Sequence, residues 1–388
     1  GRGLLPWTGV YLQHAGICDC QIALSDFAGG GGCRGRSGAL LCVQSEGSDE
    51  GLSGRQKEAF QKDRKKGRRR RKQIKAKKTK EAKEQDIEKS TPETKKPRVK
   101  SPEAKQAVVD ADMETMSAYG LVYDYANKGL VEVVQDFLAE SGIDPSQVAF
   151  TYRNAITGEQ FAMNDLQPMT AGSTYKLPLN MLVVDEVAKG KLNLTDRFDI
   201  TNTYYEYVGE HDNYVAAFDG AMSIPDMQRY SLVYSENTPA YALADRLGGM
   251  EQARKLFSRY GQSRSPEVKT FSEDNKTTTD YYIHVLEYLW NHQEKYADLL
   301  ELIGESFPGE YYKKFLPDLV IQQKPGYVAE ALNVDAIVRE STPYLVAIYT
   351  AGLGGTTPES SEISGVGLYQ LGQLAYVINE WHRVNMNE

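Results

Sequence analysis

The charge along this chain breaks near residue 106, and that break limits where a folded core can lie. Residues 1–105 carry 25 Lys+Arg against 13 Asp+Glu, and residues 106–388 carry 20 against 40, together giving the net charge of −8. The stretch 51–106 is a basic low-complexity linker. It runs through Lys65-Lys66-Gly67-Arg68-Arg69-Arg70-Arg71-Lys72 and then Lys75, Lys77, Lys78 and Lys80. Such a tract lacks the apolar side chains whose burial offsets the entropy of ordering. Thr91-Pro92, Lys96-Pro97 and Ser101-Pro102 read as the extended end of that spacer. Residues 1–50, with four glycines from Gly29 to Gly32 and no helical or strand periodicity, read as a disordered or non-native N-terminal segment. One folded domain is therefore expected over 107–388.

The same split bounds the chemistry. An acidic folded domain repels a phosphate backbone, so nucleic acid is not its expected partner. The basic tract 65–80 suits contact with an anionic surface instead. Cys18, Cys20, Cys33 and Cys42 all fall before residue 51, which leaves the domain without a disulfide, a thiolate metal site or a cysteine nucleophile. The five histidines (14, 211, 284, 292 and 382) lack ligand spacing, and no metal or cofactor is expected. In the first 50 residues the apolar run Ala39-Leu40-Leu41-Cys42-Val43 is too short for a signal sequence core or a membrane span.

Along the domain, apolar spacing predicts a helix over 124–139 and a β-hairpin from Val148–Tyr152 and Glu159–Met163 around Asn154-Ala155-Ile156-Thr157-Gly158. A helix carrying Ser173 and Lys176 follows, to about Lys189-Gly190. Residues 191–220 read as a polar, tyrosine-rich connection with Tyr204, Tyr205, Tyr207 and Tyr214 near His211. Further helices are expected from Ile224-Pro225-Asp226, from Thr238-Pro239 and over Thr279–Leu289. Strands are expected at Leu319–Gln322, Val334–Val338 and Tyr344–Tyr349, with a last helix at 366–382. Strands at both ends with helices between them give an α+β fold.

Ser173-Thr174-Tyr175-Lys176 puts a hydroxyl and an ammonium on one helical face, where Ser173 Oγ and Lys176 Nζ can meet. A serine needs a base to become a nucleophile, and burial beside Pro178 and the run Leu179, Met181, Leu182, Val183 and Val184 lowers a lysine towards that role. Two more short elements follow in order: Ser235-Glu236-Asn237 and Lys324-Pro325-Gly326. Singly, each also suits capping or turn positions. Together, over roughly 110–388, the three resemble the S-x-x-K, S-D-N and K-T-G elements of the serine β-lactamase and penicillin-binding-protein superfamily.

That resemblance implies an antiparallel sheet flanked by helices plus an all-helical subdomain. It implies a class A β-lactamase-like serine hydrolase acting on β-lactams or cell-wall peptides. By the family pattern Ser173 is the nucleophile, Lys176 its base and Ser235 the relay that protonates the leaving nitrogen. Asn237 and Lys324 bind substrate, Gly326 leaves room for it, and the N–H groups of Ser173 and Tyr327 receive the oxyanion. The expected location is outside the cytoplasmic membrane of a bacterium.

The chain departs from the pattern in three places. Pro325 replaces a hydroxyl residue that helps bind a substrate carboxylate, and Glu236 replaces an aspartate. Between 238 and 323 the one glutamate followed four residues later by asparagine is Glu287, with Asn291, and it falls on the Thr279–Leu289 segment expected to be a helix. No loop glutamate is therefore assigned as the base that activates the deacylating water in class A enzymes. The expectation is acylation with slow deacylation. The alternatives are a D-alanyl-D-alanine carboxypeptidase and a non-catalytic cell-surface module of the same fold.

Overall fold

Alternation along three strands decides how the molecule is layered, because side chains i and i+2 share a face. The chain, seen in a computed structural model, is described over residues 100–200, 211–355 and 363–387. The readings placed on residues 1–50, on the tract 65–80 and on Tyr204, Tyr205 and Tyr207 lie outside these residues. The first elements are α1 (Pro102–Tyr119), α2 (Leu130–Glu140), β1 (Val148–Asn154), β2 (Gln160–Met163), β3 (Met169–Thr170) and α3 (Lys176–Ala188). The middle holds β4 (Arg197–Asp199), α4 (His211–Phe218), β5 (Ala221–Ser223), α5 (Ile224–Leu232), α6 (Asn237–Arg246) and α7 (Met250–Leu256). Then come β6 (Lys276–Thr277), α8 (Thr279–Asn291), α9 (Ala297–Glu305), β7 (Ile321–Val328), β8 (Ala331–Val338), β9 (Tyr344–Thr350) and α10 (Gly365–Asn385).

Five strands form one sheet in the order β2-β1-β9-β8-β7, every pair antiparallel. Phe150, Tyr152, Val334, Ala336, Val346 and Ile348 face one way, into a core with Met116 of α1, the apolar stripe of α2 and Leu374 to Ile378 of α10. Ala149, Ile337, Leu345, Ala347 and Tyr349 face the other way, onto α3, α8 and α9. A third cluster joins Val183 of α3 to Met222, Ile224, Met227 and Leu243, so α3 is the post that links the sheet to the helical side. That side also carries two short ribbons, β3–β6 and β4–β5.

Several boundaries differ from the sequence reading, each for a local reason. Ser101 and Pro102 start a helix instead of ending a spacer: Ser101 Oγ accepts from the Ala104 N–H, and Pro102 fills the first turn. Helical structure thus begins five residues before 107. At α2 the turns Lys128 N–H to Asp124 O and Gly129 N–H to Glu132 Oε2 delay the helix to Leu130. Residues 191–220, read as a connection, contain β4 and α4. The strand placed at Leu319–Gln322 runs on to Val328 and takes Lys324-Pro325-Gly326 with it. Proline is tolerated there because β7 is a sheet edge and needs no donor on its outer side.

The two-sided burial of the sheet predicts where stability is concentrated. Ile348→Ala, in a fully buried central strand, is expected to cost about 2–5 kcal/mol in chemical denaturation. Ile156→Ala, at the hairpin tip where the side chain is 66% exposed, should stay within about 0.5 kcal/mol.

Candidate active site

Residues Gly172–Tyr175 form a single 3₁₀ turn that runs directly into α3. Gly172 takes φ +60°, and a Cβ there would lie 2.7 Å from the backbone nitrogen of Tyr327. Gly326 answers from β7: its Cβ would fall 2.3 Å from Ala171 O and 2.6 Å from Thr174 Cγ2. Two backbones therefore touch, with glycine on each side. The sequence reading gave Gly326 a different reason, room for a bound substrate. The atoms it makes room for in the structure are those of the turn that carries Ser173.

Polar side chains lock that turn from three directions. Asn333 of β8 donates to Thr170 O at 2.7 Å and to Ala171 O at 3.0 Å while accepting from Thr350 N–H at 2.9 Å. Asn275 donates to Gly172 O at 3.1 Å, and its own carbonyl accepts from Ala171 N–H at 2.8 Å. Tyr282 donates to Thr174 O at 2.5 Å, and the Tyr349 and Thr174 hydroxyls meet at 2.8 Å. Ser173 is left half-buried at the surface of this scaffold.

Lys176 and Lys324 are both fully buried, and both reach Ser235. Lys176 Nζ donates to Ser235 O at 2.5 Å and to Asn237 Oδ1 at 2.8 Å. Lys324 Nζ donates to Ser235 Oγ and to Pro325 O, each at 2.8 Å. Ser235 presents its carbonyl and its hydroxyl to different lysines from a left-handed backbone, φ +61°, a conformation costly for a non-glycine residue. Among the described contacts no hydrogen bond joins Ser173 Oγ to Lys176 Nζ. Such contacts commonly tighten only when substrate is bound.

The register fixes where Tyr327 points. Pro325 has no N–H to give β8, and its carbonyl accepts from Lys324 Nζ, so its peptide groups face off the sheet edge. Two residues on, the Tyr327 N–H faces the same way, towards the Gly172 turn. The structure thus brings Ser173, Lys176, Ser235, Asn237, Lys324, Gly326 and Tyr327 into one place. Of the glutamates between 238 and 323, Glu287 pairs with Arg153, Glu305 with Arg229 and Glu251 with Lys255, while Glu267 and Glu273 are exposed.

One group at the site escaped the sequence reading. Asp335 of β8 sits directly across from Lys324 in the strand register, is 1% exposed, and accepts from the Tyr349 hydroxyl at 3.0 Å. Burial pushes its carboxyl well above the usual carboxylate range, against the Tyr349 hydrogen bond and the Lys324 charge. Burial also pulls Lys324 well below the usual lysine range, helped by the Lys176 charge and opposed by Asp335. The signal was present: Asn333 and Asp335 are polar, two apart, in an otherwise apolar strand, so both lie on the face that packs on the turn. Among the described residues no group of three or more His, Cys, Asp or Glu is placed to hold a metal.

Residues 129–374 match a family described as the beta-lactamase enzyme family. No curated protein matches the chain. Solved structures of similar fold include the last common ancestor of Gram-negative bacteria class A β-lactamase, 21% identical over 64% of this chain and 98% of that one, TM-score 0.51. A β-lactamase from Xanthomonas campestris pv. campestris is 18% identical over 63% and 97%, TM-score 0.52. One from Chitinophaga pinensis is 14% identical over 65% and 98%, TM-score 0.52. At such identities the likeness carries the fold.

The glycine contact is testable without a substrate. Gly326→Ala drives a methyl into backbone atoms and is expected to cost about 1–3 kcal/mol, the usual range for overpacking. Thermal or chemical unfolding reads it. A fully stable Gly326→Ala protein would mean that the turn and β7 are not held together as described.

Proposed function

The chain belongs to the beta-lactamase enzyme family, and on that premise we propose that it hydrolyses β-lactams or related amide and peptide bonds through an acyl-Ser173 intermediate, with slow deacylation. The observation that carries this reading is the convergence of two buried lysines on Ser235 beside the locked Ser173 turn.

In the proposed acylation, Ser173 Oγ attacks the substrate carbonyl as Lys176 Nζ takes its proton. The N–H groups of Ser173 and Tyr327 receive the developing oxyanion. As the C–N bond breaks, the proton passes from Lys176 through the Ser235 hydroxyl to the departing nitrogen. Lys324 keeps Ser235 oriented and draws an anionic substrate towards the edge of β7. Water then adds to the acyl carbonyl and Ser173 leaves, restoring the free enzyme. No glutamate between 238 and 323 is hydrogen-bonded to Ser173, Lys176 or Ser235 among the described contacts, which supports a slow second step.

That same feature favours one second reading, a D-alanyl-D-alanine carboxypeptidase of the same fold, for which β-lactams are traps. Action outside the cytoplasmic membrane is part of the proposal. Among the described residues no helix is long and apolar enough to cross a membrane.

Intact mass after incubation with a reporter cephalosporin separates the readings. The expected result is a long-lived adduct on the native protein, none on Ser173→Ala, and acylation slowed on the order of 10²–10⁴-fold in Lys176→Ala. Release of D-alanine from a cell-wall peptide would favour the carboxypeptidase. No label from any β-lactam or D-alanine ester would leave a binding module as the better description.

A further inference from the structure

We propose that Asp335 is a positioning residue for this acyl transfer: from behind Lys324 it fixes which buried lysine carries positive charge, keeping Lys324 as the cation and leaving Lys176 to take the Ser173 proton. The inference rests on the acyl-Ser173 reading and adds to it a residue outside the three motifs.

The geometry supplies the argument. Lys324 and Asp335 are direct cross-strand partners, so their side chains share a face at close range. Tyr349, two residues along β9 from the Asp335 partner Ala347, donates to Asp335 Oδ2 and also meets the Thr174 hydroxyl. A buried chain thus runs from Asp335 through Tyr349 to the turn that carries Ser173, with Lys324 opposite Asp335 in the strand register. Asp335 Oδ1 has no hydrogen-bond partner among the described residues, an incomplete solvation that a charge opposite it must offset.

The surrounding titratable groups are few. Lys324 faces Asp335 from β7, Tyr349 from β9 and Tyr282 from α8, with Lys176 of α3 beyond Lys324. Burial pushes both tyrosines well above their ordinary range, so they remain neutral hydroxyls. Lys176 and Asp335 are the charges that act on Lys324. Burial opposes the charged form of Asp335 and of Lys324 alike, while each charge favours the other. In the proposed arrangement this pair is charged together, and a second ammonium would then leave the dry cluster unbalanced. The carboxylate stands opposite Lys324, so Lys324 keeps its proton and Lys176 gives one up.

The sign of the test follows. Asp335→Asn removes the negative charge, so Lys324 loses its proton at lower pH. The alkaline limb of the acylation rate with a carboxylate-bearing cephalosporin is expected to move to lower pH by about one unit. KM should rise by more than the maximal rate falls, because attraction of the anion is weakened more than the attack itself. Tyr349→Phe keeps the carboxyl but removes its donor and should shift the limb the same way by less. It decides the matter if Asp335→Asn does not fold. The NMR titration of the Lys324 side chain, assigned with Lys324→Arg, reads the same shift with no turnover. If the native protein takes no β-lactam label, the acyl reading fails while this titration still tests Asp335. An unchanged Lys324 midpoint in a folded Asp335→Asn or Tyr349→Phe protein overturns the inference.

Discussion

Two lysine amino groups with no exposure to solvent, both directed at one serine, set the terms for the rest of this structure. An isolated buried ammonium is strongly disfavoured, and the protein answers with oriented acceptors: Ser235 O and Asn237 Oδ1 for Lys176, Ser235 Oγ and Pro325 O for Lys324. Those acceptors come from the α5–α6 connection and from an edge strand far away in the chain. They meet only if the helical side and the sheet are held in fixed register. The left-handed backbone at Ser235 is the local cost of serving both lysines from one residue.

The two-faced sheet provides that register. Its outer face packs against α1, α2 and α10, and its inner face against α3, α8 and α9. Lys324, Gly326, Asn333, Asp335 and Tyr349 all project from the inner face or its edge. They replace what would otherwise be continuous apolar packing beneath the Ser173 turn. The polar cluster is tolerated because hydrogen bonds run through it: Asn333 to the carbonyls of 170 and 171, Tyr349 to Asp335 and Thr174, Tyr282 to Thr174 O. Rigid placement of the Ser173 turn and the proposed balance of protons therefore draw on the same few side chains.

What the sequence revealed divides along physical lines. The proximity of Ser173, Lys176, Ser235, Asn237, Lys324 and Gly326 was legible because they lie in short motifs that occur in a set order, and Tyr327 followed from its place three residues after Lys324. The strands were legible because period-two apolar runs are buried on both faces. The length of β7 was not, since Pro325 and Gly326 weaken strand propensity and only pairing with β8 restores it. Asp335 was missed because a lone acid in an apolar strand gains its meaning from a partner eleven residues earlier, across a hairpin. The backbone contact at Gly326 was not foreseen because one sequence position does not disclose which backbone lies opposite.

That glycine contact has an evolutionary consequence. A crowded core can usually drift, one residue enlarging as its neighbour shrinks. Gly172 and Gly326 leave no such route, for each faces backbone and neither has anything left to shed. The pair cannot be traded stepwise for any other pair of residues. Diversification of activity on this frame must proceed through the residues that surround the contact, with the contact itself frozen.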